Sequence, residues 1–418
     1  VNEDVTETTQ APPPTRGPAV PAGGGRRGAL GPAATLAVVV AGVALAAVLA
    51  VVGGSAAIAP WGVAIVTLLL AAAAGTGRLW LPTSPLLRNL ALLLVGGGLL
   101  LVFSDHVSAF GNYEIAQVAY FAVAVAGLTV LTGHSGQLSL GHGALMAVGA
   151  YAVAVLMVHQ PHVPIVLALL FAMVVTVVVG AVLGVAAARL QGPYLAGVTL
   201  TFALAIPEIA THYRSVFGAD QGETVRQLGV PGWLSTTFPP EKWLAWVSIA
   251  VAGIALALLA NLVHSGAGRR VRCVRDDEIA ASLVGINASR TKVLAFVISA
   301  ACAGLAGGLY GFWAGVVNPG AFALTLSLSL VTAMVIGGVG SLMGAVWGAI
   351  ALVFVPKYTD SISKHFHFST ATKDNLPLAI YGVVLILAIL TFPEGIQGAL
   401  RRLARRGHLA YRPPQGEV

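Results

Sequence analysis

Twelve apolar runs divide the sequence: Leu30–Val52, Ala57–Ala74, Leu86–Phe103, Glu114–Leu131, Ala144–Val158, Pro164–Ala188, Tyr194–Thr211, Trp243–Val263, Val293–Val317, Phe322–Ile336, Leu342–Val355 and Leu376–Phe392. Several exceed the ~18 apolar residues that a helix needs to cross bilayer hydrocarbon. The shorter ones also fit re-entrant segments, which are tolerated at depth only against protein or a wet cavity. The pattern predicts an all-α, polytopic integral membrane protein with about 10–12 transmembrane helices. One polar island, GRRVRCVRDDEIAASLVGINASRTK (Gly268–Lys292), separates the eighth run from the ninth.

Composition agrees with this pattern. Charged residues are 9% of the chain, against roughly 25% in soluble domains, and the mean hydropathy is +0.86. The 50 glycines suit membrane helices, which associate by close packing rather than by a hydrophobic force. Cys273 and Cys302 lie in unrelated settings and form neither a disulfide framework nor a zinc site. The ten histidines are scattered, so no metal site is expected. Residues 1–29, rich in Pro, Gly and Thr, read as a disordered tail. The arginine pair Arg26–Arg27 before Leu30–Val52 imitates a signal peptide, but that run is longer than a signal core and reads as a retained helix.

The net charge of +7 comes from basic residues sorted by loop, so it points to a membrane and not to nucleic acid. With the N-terminus inside, Arg16, Arg26, Arg27, Arg78, Arg88, Arg189, Arg269, Arg270, Arg272, Arg275, Arg290, Lys292, Arg401, Arg402, Arg405, Arg406 and Arg412 fall on the cytoplasmic side. These are seventeen of the 23 Lys and Arg. Arg214, Arg226, Lys242, Lys357, Lys364 and Lys373 fall outside. The positive-inside rule then places both termini and the island in the cytoplasm of a multi-pass protein. Four parts are expected: the tail 1–29, extra N-terminal helices over 30–110, a core over 111–400 with a cytoplasmic loop 264–292, and a basic tail 401–418.

Within the island, DDEIAASLVGIN reads as a short amphipathic helix. Asp276, Asp277 and Glu278 favour its N-terminus and Gly285 ends it. Ile279, Ala280, Leu283 and Val284 recur on one face. Two roles remain open on these residues alone: a helix lying on the membrane surface, or a docking helix that fills a partner's groove.

Polar groups inside apolar runs are costly and mark pathway candidates. Glu208, after Pro207, is one; the alternative places it at the outer interface, in water. Gln137, Ser139 and His142, set among Gly136, Gly141 and Gly143, read either as a broken helix at a transport site or as a plain interhelical turn. Thr199 and Thr201 add hydroxyls, though such threonines often bond their own backbone. The run Ala303–Gly311 reads as helix packing. Gly133–Tyr151 and Gly337–Ala349 share a Ser-Leu pair followed by spaced Gly-Ala pairs, a hint of two related halves.

From Gly268 the run GRRVRCVRDDEIAASLVGIN, then KVLAF and SAACAGLAGGLY, closely resembles the permeases of branched-chain amino acid ABC importers. GHSGQLSLGHGALMAVGAY (Gly133–Tyr151), LQGPYLAGVTLTFA (Leu190–Ala203), GGVGSLMGAVWGA (Gly337–Ala349) and FPEGIQGAL (Phe392–Leu400) resemble further elements of that family in order. The likeness covers about Glu114–Leu400. It implies the ABC importer permease fold and a loop that contacts an ATPase, with Arg272, Arg275, Asp276, Glu278, Ala280, Gly285 and Ile286 at that interface beside the apolar Ile279 and Leu283. It tips Gln137, Ser139, Gly141 and His142 towards a translocation pathway, for which Thr199, Thr201 and Glu208 are further candidates. It further implies two P-loop ATPase subunits, a second homologous permease and an extracytoplasmic solute-binding protein, in the plasma membrane of a bacterium.

A phosphate-cradling loop needs Gly-Lys-Ser/Thr, and no lysine here follows a glycine. The chain is therefore read as a pore subunit and not an enzyme, with no cofactor of its own and ATP–Mg held by partner subunits. Urea and short-amide importer permeases are close alternatives. A gradient-driven secondary transporter would need a relay of buried ionisable groups, and a membrane enzyme ranks last.

Overall fold

A computed structural model of the chain describes residues 96–365 apart from 102, 191, 227 and 231–237, together with 382–383, 386, 395–400 and 402. The expected tail 1–29, the first two apolar runs, most of the third and the last, and residues 403–418 lie outside the described residues.

Seven helical stretches among the described residues are long and apolar enough to cross a membrane. They contain α1 (Ala109–Leu128, continued by a widened turn Thr129–His134), α2 (His142–His159), α3 (Ile165–Arg189), α4 (Pro193–His212), α6 (Pro240–His264), α9 (Ala288–Ala314) and α10 (Leu324–Gly337). Between them lie the short α5 (Arg214–Phe217) and the island helices α7 (Gly266–Asp276) and α8 (Glu278–Leu283). A two-stranded antiparallel ribbon, β1 (Glu223–Thr224) with β2 (Val316–Val317), pairs Glu223 with Val317 and Thr224 with Val316.

The helix α11 (Leu342–His365) corrects one expectation. An outer loop was expected over Lys357–Asn375, but the helix continues to His365, and residues 366–375 lie outside the described residues. The Lys357 ammonium returns to the buried Glu114 carboxylate on α1 and sits over the Phe110 ring, 4.6 Å from its centroid. A cation so held has no need of a solvated loop. At the same end of the bundle Lys242 pairs with Asp105 and lies over Phe238 and Trp246.

α9 is the axis of the bundle, packed along α1, α2 and α3. Its AGLAGGLYG run makes this possible. A Cβ on Gly307 would stand 2.0 Å from the Met146 carbonyl oxygen of α2, and one on Gly304 2.8 Å from Thr176 Cβ of α3. From the facing side, Gly180 meets Ala300 and Gly149 meets the Gly304 carbonyl. Glycine lets the backbones touch, which is how helices gain packing energy where water does not drive them together. The outward face of α3 (Val166, Leu170, Val174, Val178, Val182, Val185) is exposed and apolar, as a lipid-facing stripe should be.

With 27 residues, α9 is about 40 Å long and serves as a depth scale. Gln137 lies beside the Lys292 carbonyl near its base. His142, the first residue of α2, lies beside Ser299, which is about 10 Å further along. The chain thus descends in α1, turns, and climbs back through Ser135–Gly141 without regular structure before α2 begins inside the bundle. From the other end, β2 and the turn Pro319–Phe322 bring the chain back inward, with Phe322 packed on Tyr151 and Tyr310. α10 then begins at depth, and its Ser327 hydroxyl accepts from the Gly143 amide (3.0 Å). Two helices shorter than α9, of 18 and 14 residues, therefore meet by their N-terminal turns within the protein.

Replacing Gly307 by Leu should destabilise the protein by about 1–3 kcal/mol or more through overpacking. Gly197→Leu, where no heavy atom lies within 4 Å of the added Cβ, should be tolerated. Thermal unfolding of both variants in detergent measures the difference.

Candidate functional site

α7 leaves α6 at Ser265, whose hydroxyl accepts from the amides of Ala267 (3.2 Å) and Gly268 (3.4 Å) and caps the new helix. Its inner face is Gly268, Val271 and Val274, all buried, while Arg269 and Arg270 face out. Arg272 turns back and donates to the Val263 carbonyl at the end of α6 (2.9 Å), where a cation suits the helix dipole.

One helix was expected to start at the acidic triplet; the structure has two, broken at Asp277. Asp277 is extended (φ −157°, ψ 111°), and its carboxylate accepts from the amides of Ile279 and Ala280, both at 2.9 Å. Asp276 closes α7 instead and receives two hydrogen bonds from the Arg275 guanidinium (2.9 and 2.7 Å). Glu278 pairs with Lys292 at the base of α9 (2.6 Å). At the far end Gly285 adopts φ +80°, and the Ile286 amide closes the helix on the Ala281 carbonyl (3.0 Å).

The island therefore has two faces of opposite character. Ala281 is buried, and Arg272, Arg275 and Glu278 reach back to the bundle, with Ile286 half-buried. Ile279 (75% exposed), Leu283 (83%) and Val284 (75%) stand outward with Ala280 and Gly285. Three large apolar side chains at such exposure on a six-residue helix form a patch that charged anchors hold in place.

Against this island runs the irregular segment. Arg275 Nη1 donates to the Gly133 carbonyl (2.9 Å), and its Cγ would lie 2.8 Å from a Cβ on Gly136, which has φ +72°. The Gln137 amide bonds the Ser135 hydroxyl and the Lys292 carbonyl (3.3 Å). The fully buried Ser139 accepts from the Gly141 amide (3.4 Å). The Leu140 amide donates to the Thr199 hydroxyl (3.0 Å), and His142 is buried beside the Ser299 hydroxyl (3.4 Å).

Gln137, Ser139, Gly141, His142 and Thr199 thus come together in one buried polar cluster. Thr201 does not join them; it is exposed and bonds the Gly197 carbonyl (3.0 Å). Glu208 is also apart, about 14 Å beyond Thr199 along α4. It is exposed, one turn from the helix end, in an open cleft of about 860 Å³ with His212, Arg214 and Asp220. The buried charges are others, Glu114 and Lys292, each ion-paired. Ser299, Ser327 and Lys292 complete the cluster and were missed from sequence; two of them are hydroxyls in apolar runs, the only signal they gave.

Residues 113–389 match the family model described as the permease component of branched-chain amino acid transport systems. The chain belongs to this family. Its relatives include the high-affinity branched-chain amino acid transport permease LivM of Escherichia coli strain K12, 28% identical over 73% of this chain and 74% of the relative. LivH of the same strain is 34% identical over 39% of this chain and 49% of its own. BraD of Pseudomonas aeruginosa is 28% identical over 66% and 91% respectively. No solved structure matches the chain. The match runs from within α1 through α11 and includes the island and the irregular segment of the permease.

Asp277→Ala removes the cap of α8 at a cost of about 1 kcal/mol. Hydrogen exchange at the Ile279 and Ala280 amides should then quicken about fivefold, while Asp277→Asn, which keeps an acceptor, should change little.

Proposed function

We propose that this chain is the pore subunit of an ATP-driven importer of branched-chain amino acids in a bacterial plasma membrane, working with two P-loop ATPase subunits that hold ATP–Mg. A second, homologous permease completes the pore, and an extracytoplasmic binding protein delivers solute to the end opposite the island. The island and both termini are cytoplasmic in this reading, in line with the sorting of basic residues.

The observation that carries the proposal is the outward apolar patch of α8. A surface helix meant for lipid headgroups would keep its basic residues free beside its apolar ones. Here Arg272 and Arg275 bond the protein's own backbone, and Lys292 is tied to Glu278. Arg269, Arg270 and Arg290 stand exposed on the flanking segments, but α8 itself carries no basic residue; what its tip exposes is Ile279, Leu283 and Val284, the i, i+4, i+5 pattern of a helix that enters a groove.

Leu283→Asp places a charge in that groove. Expressed with its operon partners, the tagged parent should purify with ATPase subunits and take up leucine in proteoliposomes. The variant should lose the ATPases by at least tenfold while keeping the parent's melting temperature. A parent that purifies alone, or takes up urea and not leucine, would sink the assignment.

A further inference from the structure

A line of contacts leaves the island without passing through the exposed face of α8. It starts at Arg275, whose three kinds of guanidinium N–H are all engaged: Nε and Nη2 on Asp276, Nη1 on the Gly133 carbonyl. The resemblance to the importer permeases implied that Arg275 lies at the ATPase interface; its side chain also grips Gly133 in the widened turn just before the irregular segment. A parallel contact runs from Glu278 to Lys292 and from the Lys292 carbonyl to Gln137 in the same segment. At the upper end the Leu140 amide is held by the Thr199 hydroxyl of α4.

Glycine removes the slack between these ends. A Cβ on Gly133 would lie 2.5 Å from the Gly340 nitrogen, on Gly141 2.8 Å from the Thr199 carbonyl oxygen, and on Gly143 2.7 Å from the Ser327 hydroxyl. A segment held this closely at both ends, with Gln137 and Ser139 buried between them, passes a displacement on, because packed interiors deform little. α4, at the receiving end, is the least enclosed of the candidate spans among the described residues, so it meets little resistance to shifting. The Gln137 side-chain amide oxygen Oε1 is buried without a hydrogen-bond partner among the described residues, which favours a second arrangement of the segment in which that acceptor is met.

We infer that Ser135–Gly141 is the transmission element of the permease, carrying movement of α7 and α8 to α4, with Arg275 as its positioning residue at the driven end and Thr199 at the receiving end. This rests on the reading of α8 as the ATPase-docking helix. It assigns Arg275 and Thr199 to the transfer of movement and not to the binding of any partner.

The test uses the complete transporter in proteoliposomes with its binding protein, reading leucine taken up per ATP hydrolysed. Arg275→Ala and Thr199→Val should each retain the ATPase subunits and lower that ratio about tenfold, within the usual range of a coupling between sites. Arg275→Lys, which can still reach the Gly133 carbonyl with one donor, should recover part of it. The double variant should be no worse than the worse single one, because both interrupt the same line. Ratios within twofold of the parent, losses that multiply, or loss of the ATPases from Arg275→Ala as from Leu283→Asp would each overturn the inference. If Arg275→Ala does not fold, the near-isosteric Thr199→Val decides alone. Failure of the importer assignment would look different, since the parent itself would then lack ATPases.

Discussion

Hydrocarbon supplies no hydrogen-bond partner, so every backbone amide that leaves a helix at depth must be met by protein. The stretch Ser135–Gly141 lives under that constraint, and much of the bundle is arranged to satisfy it. The widened turn at the end of α1 carries the Ser135 amide to Val130 and the Gln137 amide to Leu131. Thr132 and Thr199 then bond the segment on either side. Those partners reach it only where side chains are absent, which is why glycines recur at 133, 136, 141 and 143. The same economy of side chains on α9 brings α2 and α3 to their positions and so sets the depth at which α2 begins.

The island obeys a second constraint, the placing of charge. A cation beside a helix C-terminus or a carbonyl is stabilised, and a carboxylate at an N-terminus likewise. Arg272 at the end of α6, Arg275 at Gly133 and Asp277 at the start of α8 all follow this rule. Because the charges are engaged with the protein itself, the apolar side chains are left as the exposed feature. The Glu278–Lys292 pair is only partly buried, and exposed pairs contribute little to stability. Its more evident effect is orientation: it fixes which face of α8 turns outward.

Hydropathy made the helices legible, since runs of this length in so apolar a chain have few alternatives. The outward face of α8 and its end at Gly285 were also legible, from i, i+4 spacing and from the need for positive φ. The break at Asp277 was not. Three consecutive acids offer three caps, and only Arg275 taking Asp276 and Lys292 taking Glu278 leaves Asp277 for the helix. The continuation of α11 past Val355 was hidden for the same reason, because Lys357 answers to a carboxylate 243 residues away. Glu208 stood out in sequence as a charge in an apolar run, yet α4 leaves that side uncovered. Ser299 and Ser327 are silent in sequence, for their partners lie 157 and 184 residues distant.

The distribution of buried charge bears on how such a bundle is driven. A relay for ions needs ionisable groups that exchange partners along the axis. The two buried charges in the described residues, Glu114 and Lys292, lie at opposite ends, each clipped to one counter-charge. The other buried polar groups among the described residues are hydroxyls, amides and the imidazoles of His134 and His142, several of which hold backbone in place. Among the described residues no chain of exchanging charges joins the two ends, which agrees with the ATP-driven reading proposed above. In that reading the work enters through the apolar patch of α8 and through Arg275, which joins α7 to the chain just before the irregular segment.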